Sequence, residues 1–435
     1  MRDKTKVNGR KGISRRSMLK GTAAAAGAAV GSGALTGFPT IWAQNIRNIT
    51  LRSVGSGVTH IPPYKALAEE DLGFKLEFTV LDFNAIRTRG ITQPRSFDIF
   101  EPTYNDFKKI WPTGNMQAVD STRLKHWDDA IDLYKAPGMI WPDARFGQGQ
   151  NPSTVEYTSA IDGKDFVPAG SSKWLTAVPS QHNADTLGYR PDLVGRKLDT
   201  WAELINPEWR GKVALQIFPE IAMMDLAMAL EASGQVSYTN KGDMTRAEID
   251  TTFDFLFKLK EQNHFRAFWT GFMESVNLML SGEVVLQSMW SPAVTVVKSQ
   301  GVPAIYADLK EGYRSWTIGY MVPKHLDGLK LDAAYEFFDW LYSGRAGALF
   351  ARQGYYMPTP NMTKNFLTDD EWGFWYEGKT AAGPIKDPGG NVLEKAGSVR
   401  DGGSYKNRMG NVAVWNSEFS EQVYLVDKWN KFQAG

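Results

Sequence analysis

The sequence contains no cysteine among its 435 residues. It therefore has no disulfides, no thiolate nucleophile and no cysteine for lipid attachment, so a large hydrophobic core must stabilise the fold. Histidine is scarce as well, with five in the chain, and no two have the i, i+4 spacing of a helical zinc site. A G-x-S-x-G serine hydrolase motif is also absent. We predict no catalytic residue, no metal ligand and no cofactor.

Residues 1–43 resemble a twin-arginine export signal. Arg15 and Arg16 stand in the sequence S-R-R-S-M-L-K, and a weakly apolar stretch rich in Ala and Gly follows them. This stretch is too short and too weakly apolar to indicate a transmembrane anchor. We predict cleavage after Ala43 and export to the periplasm as a freely soluble monomer.

The charge of the chain changes when this segment is removed. The whole sequence has a formal net charge of +1, and residues 1–43 contain eight Lys or Arg and one Asp. Without them the net charge is −6. A negative chain argues against nucleic acid or an anionic membrane surface as the partner.

Strand and helix patterns alternate from residue 48 onwards. Residues 49–54, 74–81 and 97–100 have the pattern of strands separated by helices, which predicts βαβ units and a mainly parallel sheet. Ligands of such sheets bind at the carboxyl ends of strands. Ser56 and Tyr104 follow strands on that side, although Ser56 also lies in a Gly-Ser-Gly sequence that is common in plain turns.

Residues 174–189 form one long extended stretch that is apolar at both ends and polar in the middle. The polar cluster consists of Gln181, His182, Asn183 and Asp185. Such a strand is unusual within a single core. It is expected where a chain passes from one domain to another across a solvated cleft.

Three further stretches carry predictions. Residues 284–289 form an apolar run with the length of a strand. Trp290 and Ser291 follow this run, in a predicted irregular turn. The sequence pattern of residues 332–352 predicts one long helix. Residues 134–172 are rich in Gly, Pro, Ser and Asn and predict a long surface insertion with little regular structure.

Five motifs occur in order along the chain: D-T-W-A-E-L, P-E-W-R-G-K, L-S-G-E-V-V-L-Q-S-M-W, W-T-I-G-Y-M-V-P-K and G-Y-Y-M-P-T-P-N. Together they resemble the extracellular solute-binding proteins of ABC transporters, and most of all the spermidine/putrescine-binding branch, over residues 48–435. The resemblance implies an α/β, bilobal periplasmic-binding-protein fold of type II, whose lobes close on a solute and present it to a membrane permease. The implied N-terminal lobe is 44–182 plus 292–330, and the C-terminal lobe is 183–291 plus 331–435.

The resemblance also implies a ligand site between the lobes. Polyamine binders flank a cation with aromatic faces and hold its ends with carboxylates. The positions expected to bind the ligand here are Ser56, Tyr104, Gln181, His182, Asn183, Asp185, Glu220, Trp269, Trp290, Ser291, Trp316 and Tyr320.

The acids of this sequence depart from the polyamine pattern. Gly319 stands where such proteins often have a carboxylate, and Ser291 takes the polar position after the cleft tryptophan. Asp185 and Glu220 remain as the acids of the site. A monoamine, an amino acid or a betaine-like solute with one cationic end therefore fits better than a dication held at both ends.

Other functions compete with this one. A secreted hydrolase would need His182 as a general base, or two carboxylates brought together by the fold. Tyr355 and Tyr356 are adjacent and could supply the phenolates of a ferric-ion site in the same fold. The 15 tryptophans also suggest stacking against a sugar, although several stand at positions where packing explains them.

Overall fold

The computed structural model describes residues 46–434, so the predicted export signal lies outside the described residues. The strands are β1 Thr50–Gly55, β2 Lys75–Val80, β3 Ile99–Phe100, β4 Met116–Gln117, β5 Val119–Asp120, β6 Gln148–Gly149, β7 Tyr157–Thr158, β8 Phe166–Val167, β9 Trp174–Leu175, β10 Val178–Tyr189, β11 Val213–Gln216, β12 Phe265–Trp269, β13 Leu286–Met289, β14 Ile305–Tyr306, β15 Tyr313–Tyr320, β16 Val322–Pro323, β17 Ile385–Lys386, β18 Val392–Glu394 and β19 Val412–Trp415.

The α-helices are α1 Pro62–Leu72, α2 Phe83–Thr92, α3 Phe107–Ile110, α4 Pro191–Val194, α5 Pro219–Ala232, α6 Arg246–Glu261, α7 Phe272–Ser281, α8 Ser291–Ser299, α9 Gly328–Tyr342, α10 Arg345–Ala351, α11 Pro360–Lys364, α12 Asp369–Trp375, α13 Tyr405–Gly410 and α14 Gln422–Ala434. Short 3-10 helices cover Ile46–Asn48, Pro94–Ser96, Tyr104–Asp106, Trp111–Thr113, Ser121–Arg123, Asp132–Tyr134, Pro152–Thr154, Trp201–Ile205 and Pro207–Trp209.

A small parallel sheet opens the fold, with β1 paired between β2 and β3. The apolar residues Leu51, Val54 and Ile99 are wholly buried in it. Parallel pairing follows from the helix that separates successive strands. The carboxyl ends of β1 and β3 therefore lie at the same edge.

A larger mixed sheet has the strand order β12-β11-β13-β10-β15-β19-β6. Strand β11 pairs in parallel with β12 and β13, while β10 is antiparallel to both β13 and β15. Residues 178–185 of β10 pair with β15, and residues 186–189 pair with β13. Because β10 is 12 residues long, it changes partners along its length.

Strand β10 also passes from one hydrophobic core to another. Val178 and Ala184 belong to a first core, which contains β1, β3 and most of β15. Leu187 and Tyr189 belong to a second core around β11 and α5. A third cluster lies around Trp269 and α8. The crossover predicted from the polar middle of this stretch is thus a strand shared by two cores, and residues 178–189 are all buried.

The lobe boundaries stay a prediction, and the packing of two segments departs from them. Helix α9 was predicted in the C-terminal lobe, yet Phe337, Phe338 and Leu341 pack in the first core. Helix α8 was predicted in the N-terminal lobe, yet Val294 and Val297 pack in the third cluster beside β13. The apolar face of each helix decides which sheet it covers, and sequence order does not reveal this.

Three local predictions were wrong. Ser291 begins helix α8 instead of an irregular turn, because Pro292 suits the first turn of a helix. The helix predicted over 332–352 is broken at Gly344, whose φ of 104° is left-handed and whose position lies against the Met362 carbonyl. Most of residues 150–158 are buried instead of exposed, since β7 pairs with β8 and β9 in a four-stranded sheet.

Among residues 46–434, the helices are too short or too polar for any of them to cross a membrane.

Candidate functional site

A cavity of about 70 Å³ opens where the carboxyl ends of several strands meet. Such a volume has room for roughly five water molecules or one small solute. Its position follows the rule that open α/β sheets bind ligands beyond the carboxyl ends of their strands. The residues around it are Val58, Phe83, Asn84, Arg87, Thr103, Asn105, Asp106, Asp185, Gln216, Phe218, Glu220, Ile221, Trp290, Arg314, Trp316 and Asn416.

Asp185 and Arg314 form the inner wall of this cavity, and the buried Asp225 is a partner of Arg314. Asp185 on β10 lies opposite Arg314 on β15 in the antiparallel register, which places their side chains on one face of the sheet. Arg314 donates from Nε to Asp225 Oδ1 at 2.7 Å and from Nη1 to Asn416 Oδ1 at 2.9 Å. Its Nη2 is 3.3 Å from Asp185 Oδ2 but makes no hydrogen bond with it.

The electrostatics of this wall reflect its burial. Burial raises the pKa of Asp185 to about 6, although the charge of Arg314 opposes the shift. Burial likewise raises the pKa of Asp225. Burial alone would lower the pKa of Arg314, but the charges of the two acids outweigh it and the net shift is upward. Arg314 therefore remains a cation, and Asp185 is ionised at neutral pH.

Polar atoms of the inner wall lack partners within the described protein. Asp185 Oδ2, Arg314 Nη2 and Trp316 Nε1 are buried and make no hydrogen bond. Leaving buried polar atoms without partners is costly, and such atoms are uncommon in folded proteins. One acceptor and two donors are therefore available to a bound solute.

Aromatic rings flank the same wall. Trp316 is edge-on to Tyr355, with ring centroids 5.8 Å apart. Trp290 is partly exposed and packs edge-to-face on the buried Trp269 at 5.1 Å. Phe272 stacks against Trp290 at 6.3 Å. The two indoles that line the cavity are thus held by packing from behind, and their free faces can contact a solute.

A network of ion pairs forms the opposite side of the cavity. Arg87 Nη1 donates to Asp106 Oδ1 at 3.0 Å. Lys109 Nζ lies 3.5 Å from Glu220 Oε1, 3.7 Å from Glu418 Oε1 and 3.9 Å from Asp106 Oδ1. Burial raises the pKa of Glu418. Three carboxylates thus share two cations, and Asp106 and Glu220 also line the cavity.

Four residues of the predicted site line this cavity: Asp185, Glu220, Trp290 and Trp316. They come from β10, α5, the end of β13 and β15, so the fold brings together positions that are up to 131 apart in the sequence. The other eight predicted residues are not among its lining residues.

Tyr104 and His182 lie in the first core. Tyr104 stacks on Phe107 at 4.1 Å and donates its hydroxyl to Glu156 Oε2 at 2.5 Å. The two ring nitrogens of His182 contact the hydroxyls of Tyr134 at 3.2 Å and Tyr405 at 2.8 Å. Burial lowers the pKa of His182 to about 3, so the ring is neutral at physiological pH.

Three predicted polar residues have other surroundings. Asn183 Nδ2 donates to the Gly354 carbonyl at 3.1 Å, and the Ser291 hydroxyl accepts from Arg408 Nη1 at 3.0 Å. The Gln181 amide is wholly buried and has no hydrogen-bond partner in the described protein.

The remaining three are packing or turn residues. Trp269 is wholly buried behind Trp290. Tyr320 is buried edge-to-face against Phe337 at 5.2 Å. The Ser56 hydroxyl accepts from the Val58 backbone N–H at 3.2 Å, as a turn residue does.

The structure explains why position 319 carries no acid. A Cβ atom on Gly319 would lie 2.9 Å from the Val178 carbonyl oxygen and 3.0 Å from a ring carbon of Tyr104. Any side chain here would collide with the neighbouring strand. The missing carboxylate is therefore a consequence of how closely β10 and β15 approach.

Sequence reasoning missed three charged residues that line the cavity, which are Arg87, Asp106 and Arg314. Arg314 is a single charge inside the otherwise uncharged strand 313–320, and that contrast was the one available signal. Arg87 and Asp106 lie on helical segments with no motif, so only the fold brings them to the cavity.

The geometry gives the ferric-ion alternative no support. Tyr355 and Tyr356 are buried, and Tyr356 donates its hydroxyl to the Trp375 carbonyl at 3.2 Å. Within residues 46–434, no cluster of three or more His, Cys, Asp or Glu side chains could hold a metal ion.

Comparison with known sequences identifies the family. The family model described as bacterial extracellular solute-binding protein matches residues 116–373, which is more than half of the chain. No protein matches in a search of curated sequences. The chain belongs to the bacterial extracellular solute-binding proteins, and the predicted family is confirmed.

Solved structures confirm the fold. A spermidine/putrescine ABC transporter substrate-binding protein, PotD from Streptococcus pneumoniae, is 14% identical with a TM-score of 0.57, covering 88% of this chain and 98% of its own. The Atu4243-GABA receptor is 16% identical with a TM-score of 0.58, covering 89% and 97%. The binding protein MotA from A. tumefaciens B6, in complex with glucopine, is 13% identical with a TM-score of 0.56, covering 89% and 99%. The fold is therefore the predicted bilobal α/β fold of periplasmic solute-binding proteins.

Proposed function

We propose that this protein is the substrate-binding component of an ABC importer and that its ligand is a small solute with a single amine group. In this proposal the protein works in the periplasm, binds the solute in the cavity between Trp290 and Trp316, and presents it to a membrane permease. Family membership supports solute binding, and the export motif of residues 1–43 supports the location. No chemistry is performed on the solute.

One observation carries the choice of an amine. Asp185 Oδ2 is buried in the cavity wall without a hydrogen-bond partner, and it lies on the same wall as Trp316. A carboxylate beside indole faces is the arrangement that binds an ammonium group, through a charge-assisted hydrogen bond and cation–π attraction.

The unpartnered donors narrow the solute further. Arg314 Nη2 and Trp316 Nε1 are buried donors that make no hydrogen bond in the described protein, although Arg314 Nη2 also forms an ion pair with Asp185 at 3.3 Å. A solute with an oxygen acceptor close to its amine satisfies both, which favours an amino-acid-like molecule. A betaine is disfavoured, because its quaternary nitrogen has no hydrogen to donate to Asp185. A polyamine is disfavoured, because it has no oxygen.

The similar structures are compatible with this ligand class. One is a spermidine/putrescine-binding protein, one is a GABA receptor, and one is in complex with glucopine. Of these, GABA carries one amine and one carboxylate, which is the combination that the inner wall can satisfy. Because all three are under 20% identical, they indicate a range of amine-type solutes without selecting one.

The proposed mechanism is closure around the solute. Asp106 follows β3, which packs in the first core, while Glu220 begins α5, which packs in the second. A solute in the cavity contacts elements of both cores at once. It therefore stabilises the arrangement in which these cores approach each other, and this difference in affinity between open and closed states drives closure.

A thermal-shift screen tests the proposal. The purified protein is heated with GABA and other amino acids, with putrescine and spermidine, with glycine betaine, with sugars and with ferric citrate. A solute at a hundred times its dissociation constant stabilises a protein by about 2.7 kcal/mol, which raises the melting temperature by a degree or more. We expect the largest shift from an amino-acid-like monoamine. Shifts with sugars or ferric citrate alone would contradict the amine assignment.

A further inference from the structure

Lys109 occupies an unusual position beside the cavity. Its ammonium nitrogen is 3.5 Å from Glu220, 3.7 Å from Glu418 and 3.9 Å from Asp106. Each contact is longer than a charge-assisted hydrogen bond, which is about 2.7–2.9 Å. The ammonium group is thus shared among three carboxylates and is not fixed to one of them.

These carboxylates are the ones that a second amine of the solute would need. Asp106 and Glu220 line the same cavity as Asp185. Asp185 Oδ2 makes no hydrogen bond, although it lies 3.3 Å from Arg314 Nη2. Asp106 and Glu220 contact the Lys109 ammonium, and Glu220 also accepts a hydrogen bond from the Gln422 amide. Asp106 is also held by Arg87 and by the Thr103 hydroxyl at 2.9 Å. The cavity thus has one carboxylate oxygen that can still accept a hydrogen bond, and two acids that already accept hydrogen bonds.

We propose that Lys109 sets the specificity of the cavity against diamines, because its own ammonium group fills the second cation position. This inference rests on the proposed function. A diamine with one end at Asp185 brings its other end towards Asp106 and Glu220, where it meets the like charge of the Lys109 ammonium. A monoamine has no such second end, so Lys109 does not exclude it.

A second role of Lys109 must be separated from this one. Lys109 lies on α3, which packs in the first core, and it contacts Glu220 on α5 and Glu418 next to Phe419, both in the second. Its ion pairs therefore also hold the cavity closed. A loss of closure weakens the binding of every solute by the same factor. The ratio of the dissociation constants of two solutes therefore reports a change in specificity and does not respond to a change in closure.

The first experiment measures that ratio by calorimetry for putrescine and GABA in the wild type, Lys109→Met and Lys108→Met. Methionine keeps most of the length of lysine without the charge, and Lys108 is the exposed neighbour. We expect Lys109→Met to shift the ratio at least tenfold towards putrescine, while Lys108→Met leaves it unchanged. An unchanged ratio in Lys109→Met would overturn the proposal.

A second experiment needs no natural solute and remains informative if the wild type binds no amine. Lys109→Ala is melted in methylammonium chloride and in tetramethylammonium chloride at equal concentration, beside the wild type. Methylammonium can donate hydrogen bonds to the three carboxylates, whereas tetramethylammonium cannot. We expect methylammonium to raise the melting temperature of Lys109→Ala by more than it raises that of the wild type. Equal shifts in both proteins would contradict a cation position at this site.

Discussion

The protein buries two kinds of carboxylic acid, and they differ in their partners. Glu101 and Glu156 lie in the first core and are bonded to hydroxyl groups: Glu101 accepts from Thr59 and Ser180, and Glu156 from Tyr104. Asp185 and Asp225 lie around Arg314 at the cavity. The first pair is buried among neutral groups, and the second pair shares a cation.

This difference in partners distinguishes acids with a structural role from the acid that we propose to bind the solute. Burial raises the pKa of Glu101 to about 7 and that of Glu156 well above its usual range. A carboxylic acid with hydroxyl partners is stable when neutral, and it then serves as a hydrogen-bonding group of the core. An acid beside an arginine is favoured in its charged form, and in our proposal Asp185 is such an acid and binds the solute. Of these four acids, Asp185 is the one that lines the cavity.

The largest effect should come from removing the shared cation. Arg314→Met leaves Asp185 and Asp225 buried without a counter-charge, and we expect a loss of about 3–5 kcal/mol in the free energy of unfolding. Glu156→Gln replaces one neutral group by another of the same shape, so the expected loss is about 1 kcal/mol or less. Urea denaturation of both variants at pH 7.5 measures this. Similar losses of unfolding free energy in Arg314→Met and Glu156→Gln would contradict the distinction between the two kinds of acid.

The next effect concerns pH. Because folding raises the pKa of Glu101 from 4.5 to about 7, the folded state binds its proton more tightly than the unfolded state does. The resulting stability is complete below pH 4.5 and is lost as the pH rises to 7, which amounts to about 3 kcal/mol. His60, the titratable neighbour, stays neutral in this window, because burial lowers its pKa to about 3.

Unfolding free energies of the wild type and Glu101→Gln at pH 5 and pH 7.5 test this. The wild type should become less stable as the pH rises. Glu156, whose pKa is raised well above its usual range, adds a dependence of the same sign, so Glu101→Gln should lose the part that is due to Glu101. Asp185 adds a smaller change of the same sign, because its pKa is raised to about 6. Parallel profiles for the two proteins would show that Glu101 is not buried as a neutral acid.

The smallest effect tests why an acid is missing opposite β10. Gly319→Ala places a Cβ atom 2.9 Å from the Val178 carbonyl oxygen, and we expect a loss of about 1–3 kcal/mol from overpacking. Gly271→Ala is the matched control, since its Cβ meets nothing within 4 Å. If thermal melting shows equal stability for both, position 319 has room for a side chain.

The fold was largely predictable because its strands and helices have clear hydrophobic periods. The strands predicted at 49–54 and 74–81 are β1 Thr50–Gly55 and β2 Lys75–Val80. The packing of helices was less predictable. Helix α9 has several large aromatic residues, and these suit either sheet equally well until the tertiary structure selects one.

The site was predicted in part, for a physical reason. Asp185 was found because it belongs to a polar run in the middle of a long extended stretch, at a position where the family resemblance implies a ligand contact. Its neighbours His182 and Asn183 share that polar run, but partners distant in sequence, Tyr405 and Gly354, satisfy them inside the core. Arg314 was missed because its role depends on the register that places it opposite Asp185, and register is not written in either strand alone.

The central claim is that Asp185 binds the amine of the solute. Calorimetry at pH 7.5, with the monoamine that gives the largest thermal shift, compares the wild type with Asp185→Asn and with the exposed control Asp128→Asn. A charge-assisted hydrogen bond contributes about 1.5–3 kcal/mol, so Asp185→Asn should weaken binding roughly 10–100-fold while Asp128→Asn leaves it unchanged. Equal affinity in the wild type and in a folded Asp185→Asn protein would contradict the account.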